Sequence, residues 1–327
     1  MESKSDFFEF IPFTSKAISN YLSIREGETK IGERLNDDHS SPECKYVIIG
    51  ISEDIGPQAN LGLKGSQFSF DAFLSRFINI QSNRFLEGDE ICVFGEIVQS
   101  VPFISVEEGR KRTALLDEFV QEIIQPVIAL GKIPIVIGGG HNNAYALIRS
   151  CSSVLKKSID VVNLDPHADC RDLEGRHSGN PFSYAKENGF LNHYTVLGLH
   201  QQYNSEKIYK YLDKNNFTYT FFEDYLDKKR NLRDDIHSIS AKRSAEFALG
   251  IELDIDSIAM MPSSAFTPSG FSIEEARNYM REVATLKNIA YLHLPEGAPN
   301  SESEKKVIGK TLSYLVADFI KVNSSKK

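Results

Sequence analysis

Short apolar runs rich in β-branched residues recur along the chain from residue 45 onward. They occupy residues 45–51, 91–97, 133–139, 159–165, 194–199, 247–256 and 289–294. The runs are nearly continuous rather than alternating, which is typical of strands covered on both faces. Segments of helical periodicity lie between several of them, most clearly at 106–130 and 308–319. This alternation predicts an α/β fold, a three-layer αβα sandwich with a mostly parallel central sheet.

The first 44 residues fit this alternation poorly. They contain "DFFEFIPF" and the polar stretch "REGETKIGERLNDDHSSPE". We interpret residues 1–44 as an N-terminal helical extension followed by an exposed connection, and residues 45–327 as one domain. A length of 327 residues would allow two domains, but no boundary signal follows residue 45.

Composition and charge narrow the class of protein. The chain is 41% hydrophobic and 25% charged, as globular proteins are, and its net charge of −8 disfavours a nucleic-acid partner. Four cysteines lie scattered without a CxxC pair, which is typical of the reducing cytosol. The apolar runs are too short for a membrane span, and the start lacks secretory features. We therefore expect a soluble cytoplasmic protein that binds neither nucleic acid nor membrane.

Polar clusters follow three of the predicted strands, at the edge where parallel sheets gather their ligands. The first is "GGGH", in which three glycines permit a tight turn before His141. A histidine in this position, taken alone, is more often a cap or a packed side chain.

The second cluster is "DPHAD", which places Asp165, His167 and Asp169 at alternate positions. In extended chain these side chains share one face, and mixed carboxylate and imidazole ligands suit a divalent first-row metal. The alternative, an N-cap and acidic turn, would explain one aspartate but not the triplet.

The third cluster is "ELDID", where Asp254 and Asp256 follow a buried strand. Two adjacent carboxylates repel each other unless a cation lies between them. Together the three clusters supply two histidines and four aspartates, enough for two metal ions that share bridging carboxylates.

With these motifs the sequence resembles the ureohydrolase superfamily, the group of arginase, agmatinase and formimidoylglutamase. The family signatures GGxH, DAHxD and SxDxDxxDP correspond to "GGGH", "DPHAD" and "ELDID", in the same order, from about residue 45 onward. The sequence departs from these signatures in that Gly140 replaces the usual aspartate, Pro166 replaces an alanine, and "SIAMMPSSA" follows Asp256. None of them removes a metal ligand, although the last affects the loop after the strand.

The resemblance implies two manganese ions per chain, in an arginase-like fold. The first ion would be held by His141, Asp165, Asp169 and Asp254. The second would be held by Asp165, His167, Asp254 and Asp256. Asp165 and Asp254 would then bridge the two ions. The resemblance also implies a small-molecule amidine or guanidine substrate and a homo-oligomer.

Catalytic roles follow for three residues: Asp169, His177 and Glu296. His177 lies near the position where arginases carry a proton-shuttling histidine, and the alternative is an ordinary loop histidine. Glu296, in "LPEGAP", resembles the family carboxylate that pairs with the amidine or guanidine group, and the alternative is a turn glutamate.

Substrate selection is expected in the loop after "DPHAD". We predict that Arg171, Arg176 and Asn180 bind the substrate, with one or both arginines on a carboxylate, because a guanidinium recognises carboxylates in a bidentate manner. The alternative is a solvated loop in which Arg171 pairs with Asp172 or Glu174.

Within the family, "GGGHNNAY", "EGRHSGNPFSYA" and "YLHLPEGAP" most resemble formimidoylglutamase. The implied reaction is hydrolysis of N-formimidoyl-L-glutamate to L-glutamate and formamide, a step of histidine degradation. One alternative is an arginase- or agmatinase-like enzyme that releases urea. Another is a metal-binding protein without turnover.

Overall fold

The computed structural model describes residues 3–102 and 105–325, which form ten strands and eleven α-helices. The strands are β1 (Ser3–Lys4), β2 (Phe8–Pro12), β3 (Tyr46–Ser52), β4 (Ile91–Gln99), β5 (Ile133–Ile137), β6 (Ile159–Leu164), β7 (Leu191–Leu199), β8 (Thr218–Phe221), β9 (Leu249–Leu253) and β10 (Ile289–Leu294). The helices are α1 (Ser15–Ser19), α2 (Ile55–Ala59), α3 (Ser69–Phe77), α4 (Val106–Ala129), α5 (Asn143–Leu155), α6 (Pro181–Glu187), α7 (Glu206–Lys214), α8 (Phe222–Leu226), α9 (Leu232–Lys242), α10 (Ile273–Val283) and α11 (Glu302–Ser324).

All ten strands belong to one sheet, in the order β1-β2-β4-β3-β5-β10-β9-β6-β7-β8. The eight strands from β4 to β8 in this order are parallel, and the antiparallel pairings are those of β2 with its two neighbours, β1 and β4. The predicted α/β class and mostly parallel sheet are therefore confirmed.

Each face of the sheet carries its own hydrophobic core. Successive residues of a strand point to opposite faces, so Ile48 packs into one core and its neighbour Ile49 into the other. Helices α3, α10 and α11 supply the first core, and α4, α5 and α6 supply the second. Strands β3, β6 and β9 are buried along their whole length, which explains their continuous apolar sequences.

The N-terminal segment differs from the predicted helical extension. Residues 8–12 form β2, which pairs antiparallel with β4. The helical part of this segment, among the residues described, is limited to the five-residue α1 and a single 3-10 turn at Ile31–Glu33. Phe8 and Phe10 are buried while Glu9 between them is partly exposed. This alternation at every second residue is the strand signal in "DFFEFIPF", and it extends the sheet by antiparallel strands that need no crossover helix.

The two longest helices lie where the sequence predicts them. Helix α4 begins after Ser105, whose side chain accepts a hydrogen bond from the Glu108 backbone, and it continues past Pro126. Helix α11 extends several residues beyond the predicted 308–319 at both ends and packs against α3. No helix in the described ranges is long and apolar enough to cross a membrane.

Candidate metal centre and active site

The central strands β5, β10, β9 and β6 are neighbours, and their carboxyl ends meet at one edge of the sheet. Each is followed by a polar residue: His141 after β5, Asp165 after β6, Asp254 after β9 and Glu296 after β10. The chain leaves β5 for the outer strands and returns to insert β9 and β10 between β5 and β6. This topology brings together residues that are more than 150 positions apart in the sequence.

His141 lies at the centre of three carboxylates. Its Nδ1 atom is 2.9 Å from Asp254 Oδ2, 3.0 Å from Asp169 Oδ2 and 3.1 Å from Asp165 Oδ2. One ligand atom from each of the four side chains lies within 4.8 Å of the others. These are the four residues predicted to hold the first ion.

The electrostatics of this cluster fit a divalent cation. Burial and the neighbouring Asp169 raise the pKa of Asp165 to about 6, and burial and Asp256 raise the pKa of Asp254 well above its usual value. Burial opposes a charge on His141, yet the surrounding carboxylates raise its pKa well above the ordinary range. A bound cation would relieve this crowding of negative charge, and the mixed oxygen and nitrogen donors suit Mn²⁺.

The residues predicted for the second ion lie farther from one another than those predicted for the first. His167 Nδ1 lies 3.7 Å from Asp165 Oδ1 and 3.8 Å from Asp256 Oδ2, too far for hydrogen bonds. The His167 ring stacks on Tyr203, with centroids 5.5 Å apart. The three side chains therefore face one another without bonding, an arrangement compatible with shared coordination of one ion.

Local turns direct these carboxylates. The backbone N–H of His167 donates to Asp165 Oδ1 at 2.7 Å, and that of Asp256 donates to Asp254 Oδ1 at 2.7 Å. Asp169 has a φ of +49°, a left-handed conformation that is costly for a residue with a Cβ. The fold holds Asp169 in this conformation, where its carboxylate reaches His141.

The turn before His141 depends on Glu53, which the sequence analysis missed. Glu53 Oε1 accepts from the backbone N–H of Gly140 at 2.8 Å and from Asn143 Nδ2 at 2.9 Å. A Cβ on Gly140 would lie 2.3 Å from Pro57 Cδ and 2.4 Å from Asn142 Oδ1, so no aspartate fits there. The signal for Glu53 was a carboxylate directly after the first predicted strand of the domain.

Glu296 lies beside the cluster, just after the end of β10. Its Oε1 accepts from the His141 backbone N–H at 2.6 Å, and its Oε2 is buried with the Ser264 side chain nearby. Burial and the nearby Asp256 raise its pKa to about 8. Like Asp169, Glu296 has a positive φ, of 68°.

A cavity of about 400 Å³ opens onto the cluster. Its walls include His167, Asp169, Asp254, Asp256 and Glu296 from the strand ends, and Asn60, Leu61, Leu63, Arg171, Ser178, Gly179 and Tyr203 from the surrounding loops. A small molecule inside it would contact the carboxylates at one end and the loops at the other.

Arg171 is the one predicted substrate-binding residue that lines this cavity. Its side chain is 52% exposed, with Nη1 2.9 Å from Asn60 Oδ1 and Nη2 3.2 Å from Glu174 Oε1. The alternative pairing with Glu174 is thus present, but the exposed guanidinium still faces the cavity.

Arg176 is buried among polar partners. It is 4% exposed, and its Nε donates to Asp117 Oδ2 at 2.8 Å. Its Nη1 donates to Asn180 Oδ1 at 2.6 Å, and its Nη2 to the Asn142 carbonyl at 2.9 Å. Two tyrosine rings flank the guanidinium. These contacts hold the guanidinium inside the protein, and Arg176 is not among the residues that line the cavity. A role for Arg176 in substrate binding stays a prediction.

Asn180 is likewise not among the residues that line the cavity, and its role in substrate binding stays a prediction. Its side chain is buried, and besides accepting from Arg176 it donates to the carbonyls of Asp172 and Gly175. Asn180 therefore ties the loop together.

His177 is buried in this loop and does not line the cavity. Its Nδ1 accepts from the Gly179 backbone N–H at 3.1 Å, and its Nε2 lies 3.2 Å from Glu174 Oε1. Burial and the charges of Arg171 and Arg110 lower its pKa to about 4. A role for His177 as a proton shuttle stays a prediction.

Glu252 is a further residue that the sequence analysis missed. It stands in "ELDID" where the family signature has serine, and it is fully buried. Its Oε2 accepts from His293 Nδ1 at 2.6 Å and lies 3.5 Å from His141 Nε2. A glutamate inside an otherwise apolar strand was the available signal.

Comparisons with known proteins identify the family of this chain and its fold. A sequence model of the arginase family matches residues 45–320. Formimidoylglutamase from Macrococcus caseolyticus is 25% identical over 303 residues, which cover 91% of this chain and 90% of that protein. Formimidoylglutamase from Chromobacterium violaceum is 25% identical over 244 residues, which cover 70% of this chain and 72% of that protein.

Solved structures share the fold. Trypanosoma cruzi formiminoglutamase with Mn²⁺ superimposes with a TM-score of 0.75 at 19% identity, covering 92% of this chain and all of that one. Formimidoylglutamase from Bacillus subtilis gives a TM-score of 0.73 at 15% identity, and the match covers 95% of this chain and 100% of that chain. Because the family model spans most of the sequence, this chain belongs to the arginase family.

Proposed function

We propose that this protein is a dinuclear manganese hydrolase that converts N-formimidoyl-L-glutamate and water to L-glutamate and formamide. The observation that carries the proposal is the His141 cluster, which opens onto a cavity that Glu296 also lines. Membership of the arginase family and the names of the similar proteins support the amidine substrate.

Six side chains would hold the two ions. His141, Asp165, Asp169 and Asp254 would hold the first, and Asp165, His167, Asp254 and Asp256 the second. When bound, the ions would lower the pKa of the attacking water and stabilise the negative charge that develops on it.

Glu296 would orient the substrate. An amidinium group carries N–H donors and a positive charge, and its approach would favour the ionised form of the Glu296 carboxyl group, which lines the cavity. A charge-assisted hydrogen bond to this carboxylate would present the amidine carbon to the strand ends. The bond from Oε1 to the His141 backbone fixes the direction of the carboxylate.

Asp169 would transfer the proton. Its side chain is 13% exposed, whereas those of His141, Asp165 and Asp254 are 2% exposed or less, and it lines the cavity. It can therefore accept a proton from the attacking water and release it to the leaving nitrogen.

Arg171 would bind a carboxylate of the glutamate moiety at the cavity mouth. The substrate carboxylate would replace Glu174 as the partner of Nη2, while the bond from Nη1 to Asn60 holds the guanidinium in place. Leu61 and Leu63, on the same wall, would contact the methylene groups of the substrate.

A substrate panel tests the proposal. Protein loaded with Mn²⁺ is incubated with N-formimidoyl-L-glutamate, arginine and agmatine, and formamide, urea and ammonia are measured. We expect formamide and glutamate from the first substrate only. Urea from arginine or agmatine would assign the protein to the alternative reaction, and no product from fully loaded protein would favour a non-catalytic role.

A further inference from the structure

A second polar group lies behind His141, beyond the ring nitrogen that faces away from the aspartates. It consists of Glu252, Tyr291 and His293, all fully buried. Glu252 Oε1 accepts from the Tyr291 hydroxyl at 2.7 Å, and Oε2 accepts from His293 Nδ1 at 2.6 Å. The same Oε2 lies 3.5 Å from His141 Nε2.

The two nitrogens of His141 have different surroundings. Nδ1 faces the three carboxylates at 2.9–3.1 Å, so it is the atom that would bind a metal. Nε2 must then carry the proton, and it is buried without a hydrogen-bond partner in the described part of the chain. A buried N–H in this position requires an acceptor, and Glu252 Oε2 is the carboxylate oxygen beside it.

We propose that Glu252 is a positioning residue for the metal centre, which holds His141 as the Nε2–H tautomer with the Nδ1 lone pair directed at the ion. The inference rests on the proposed metal site but not on the identity of the substrate. A shift of a few tenths of an ångström on metal binding would convert the 3.5 Å approach into a hydrogen bond.

Strand β9 leaves space for the tyrosine ring whose hydroxyl contacts the Glu252 carboxylate. A Cβ on Gly250 would lie 2.4 Å from the Tyr291 ring, so only glycine leaves space for that ring. Gly250 and Glu252 are two positions apart on β9 and share a face, which places the tyrosine hydroxyl on Glu252. Tyr279 adds support, because its hydroxyl donates to the Glu252 backbone carbonyl at 2.9 Å.

A different assignment would make Glu252, His293 and His141 the ligands of a third ion, since their donor atoms also lie within 4.8 Å of one another. That site would require His141 to bridge two ions through both nitrogens. It would also break the 2.6 Å bond between Glu252 and His293. We therefore favour positioning, and a third ion becomes an outcome of the test.

The test compares wild type with Glu252→Gln, using Tyr291→Phe as the matched control. Tyr291→Phe removes a hydrogen bond from the same carboxylate but leaves Oε2 intact. Mn²⁺ stoichiometry and Kd are measured by electron paramagnetic resonance titration of the metal-free proteins. We expect Glu252→Gln to weaken one of the two sites about 10- to 100-fold, and Tyr291→Phe to change neither by more than about threefold.

A spectroscopic measurement on wild type requires no variant to fold. In Zn²⁺-loaded protein, ¹H–¹⁵N correlation of the histidine rings should show His141 protonated at Nε2 and metal-bound at Nδ1. Metal binding through Nε2, equal Mn²⁺ affinity in Glu252→Gln, or a third ion lost only in that variant would each overturn the inference. A protein that passes these tests but releases no formamide would refute the proposed substrate alone.

Discussion

Replacement of Arg176 by alanine distinguishes a structural arginine from a substrate-binding one. The Arg176 and Asp117 side chains are 5% and 3% exposed, and the guanidinium contacts both Asp117 oxygens, at 2.8 and 3.3 Å. Removing one partner of such a buried pair costs about 3–5 kcal/mol, because the other charge stays buried without compensation. Asn180 Oδ1 and the Asn142 carbonyl also lose their donor.

The loss of stability expected for Arg176→Ala depends on pH. Burial raises the pKa of Asp117 to about 6 even beside Arg176. In the variant the carboxylate can be relieved by protonation, so the destabilisation should be largest near pH 8 and smaller near pH 5. Urea unfolding of the metal-free proteins at both pH values measures this difference.

Arg171→Ala is the matched control. Arg171 lies in the same loop but is half exposed, so its removal should change the unfolding free energy by no more than about 0.5 kcal/mol. It should instead raise KM about 10- to 100-fold, the factor expected when a hydrogen bond to a charged group is lost. If Arg176→Ala kept wild-type stability and raised KM as Arg171→Ala does, our interpretation of Arg176 would be refuted.

Three further changes test other parts of the site. Glu296→Gln should lower kcat/KM on the order of 10- to 100-fold with unchanged Mn²⁺ stoichiometry, because an amide cannot pair with the amidinium charge; normal turnover would contradict this. His177→Asn should flatten the pH dependence of stability. In the folded protein the pKa of His177 is about 4, below the ordinary 6.5, so the wild type loses stability as the pH falls from about 6.5 to about 4. The same dependence of the unfolding free energy on pH in both proteins would contradict this. Gly140→Asp should lower the melting temperature because its Cβ meets Pro57 and Asn142, and an unchanged value would show that the turn adapts.

The predictable part of the fold depends on local pattern. Each apolar run after residue 45 became a strand, because a strand buried on both faces requires continuous apolar sequence. The N-terminal strand was misjudged because "DFFEFIPF" is short, and its pairing partner lies more than 80 residues away. Strand order could not be predicted either, since periodicity does not encode the insertion of β9 and β10 between β5 and β6.

The site, like the fold, has a part that local motifs predict and a part that depends on distant residues. The six predicted ligands lie within three short motifs. The structure places three of them, Asp165, Asp169 and Asp254, around the Nδ1 atom of a fourth, His141. The sequence could not show that Arg176 is buried, because its partner Asp117 is 59 positions away on α4. From the sequence alone it is only an arginine in a polar loop. Exposure decides whether such an arginine is available to a ligand, and exposure is a property of the tertiary fold.

The departures from the family signatures have reasons outside the motifs. Gly140, in place of aspartate, leaves the space that Pro57 and Asn142 occupy, while Glu53, just after β3, accepts a hydrogen bond from the turn. Glu252, in place of serine, has a complete set of partners on β10. Restoring either family residue alone would therefore produce a clash or leave buried donors without an acceptor. A substitution within a motif has to be judged together with the distant residues that contact it, because those residues determine whether the metal ligands keep their geometry.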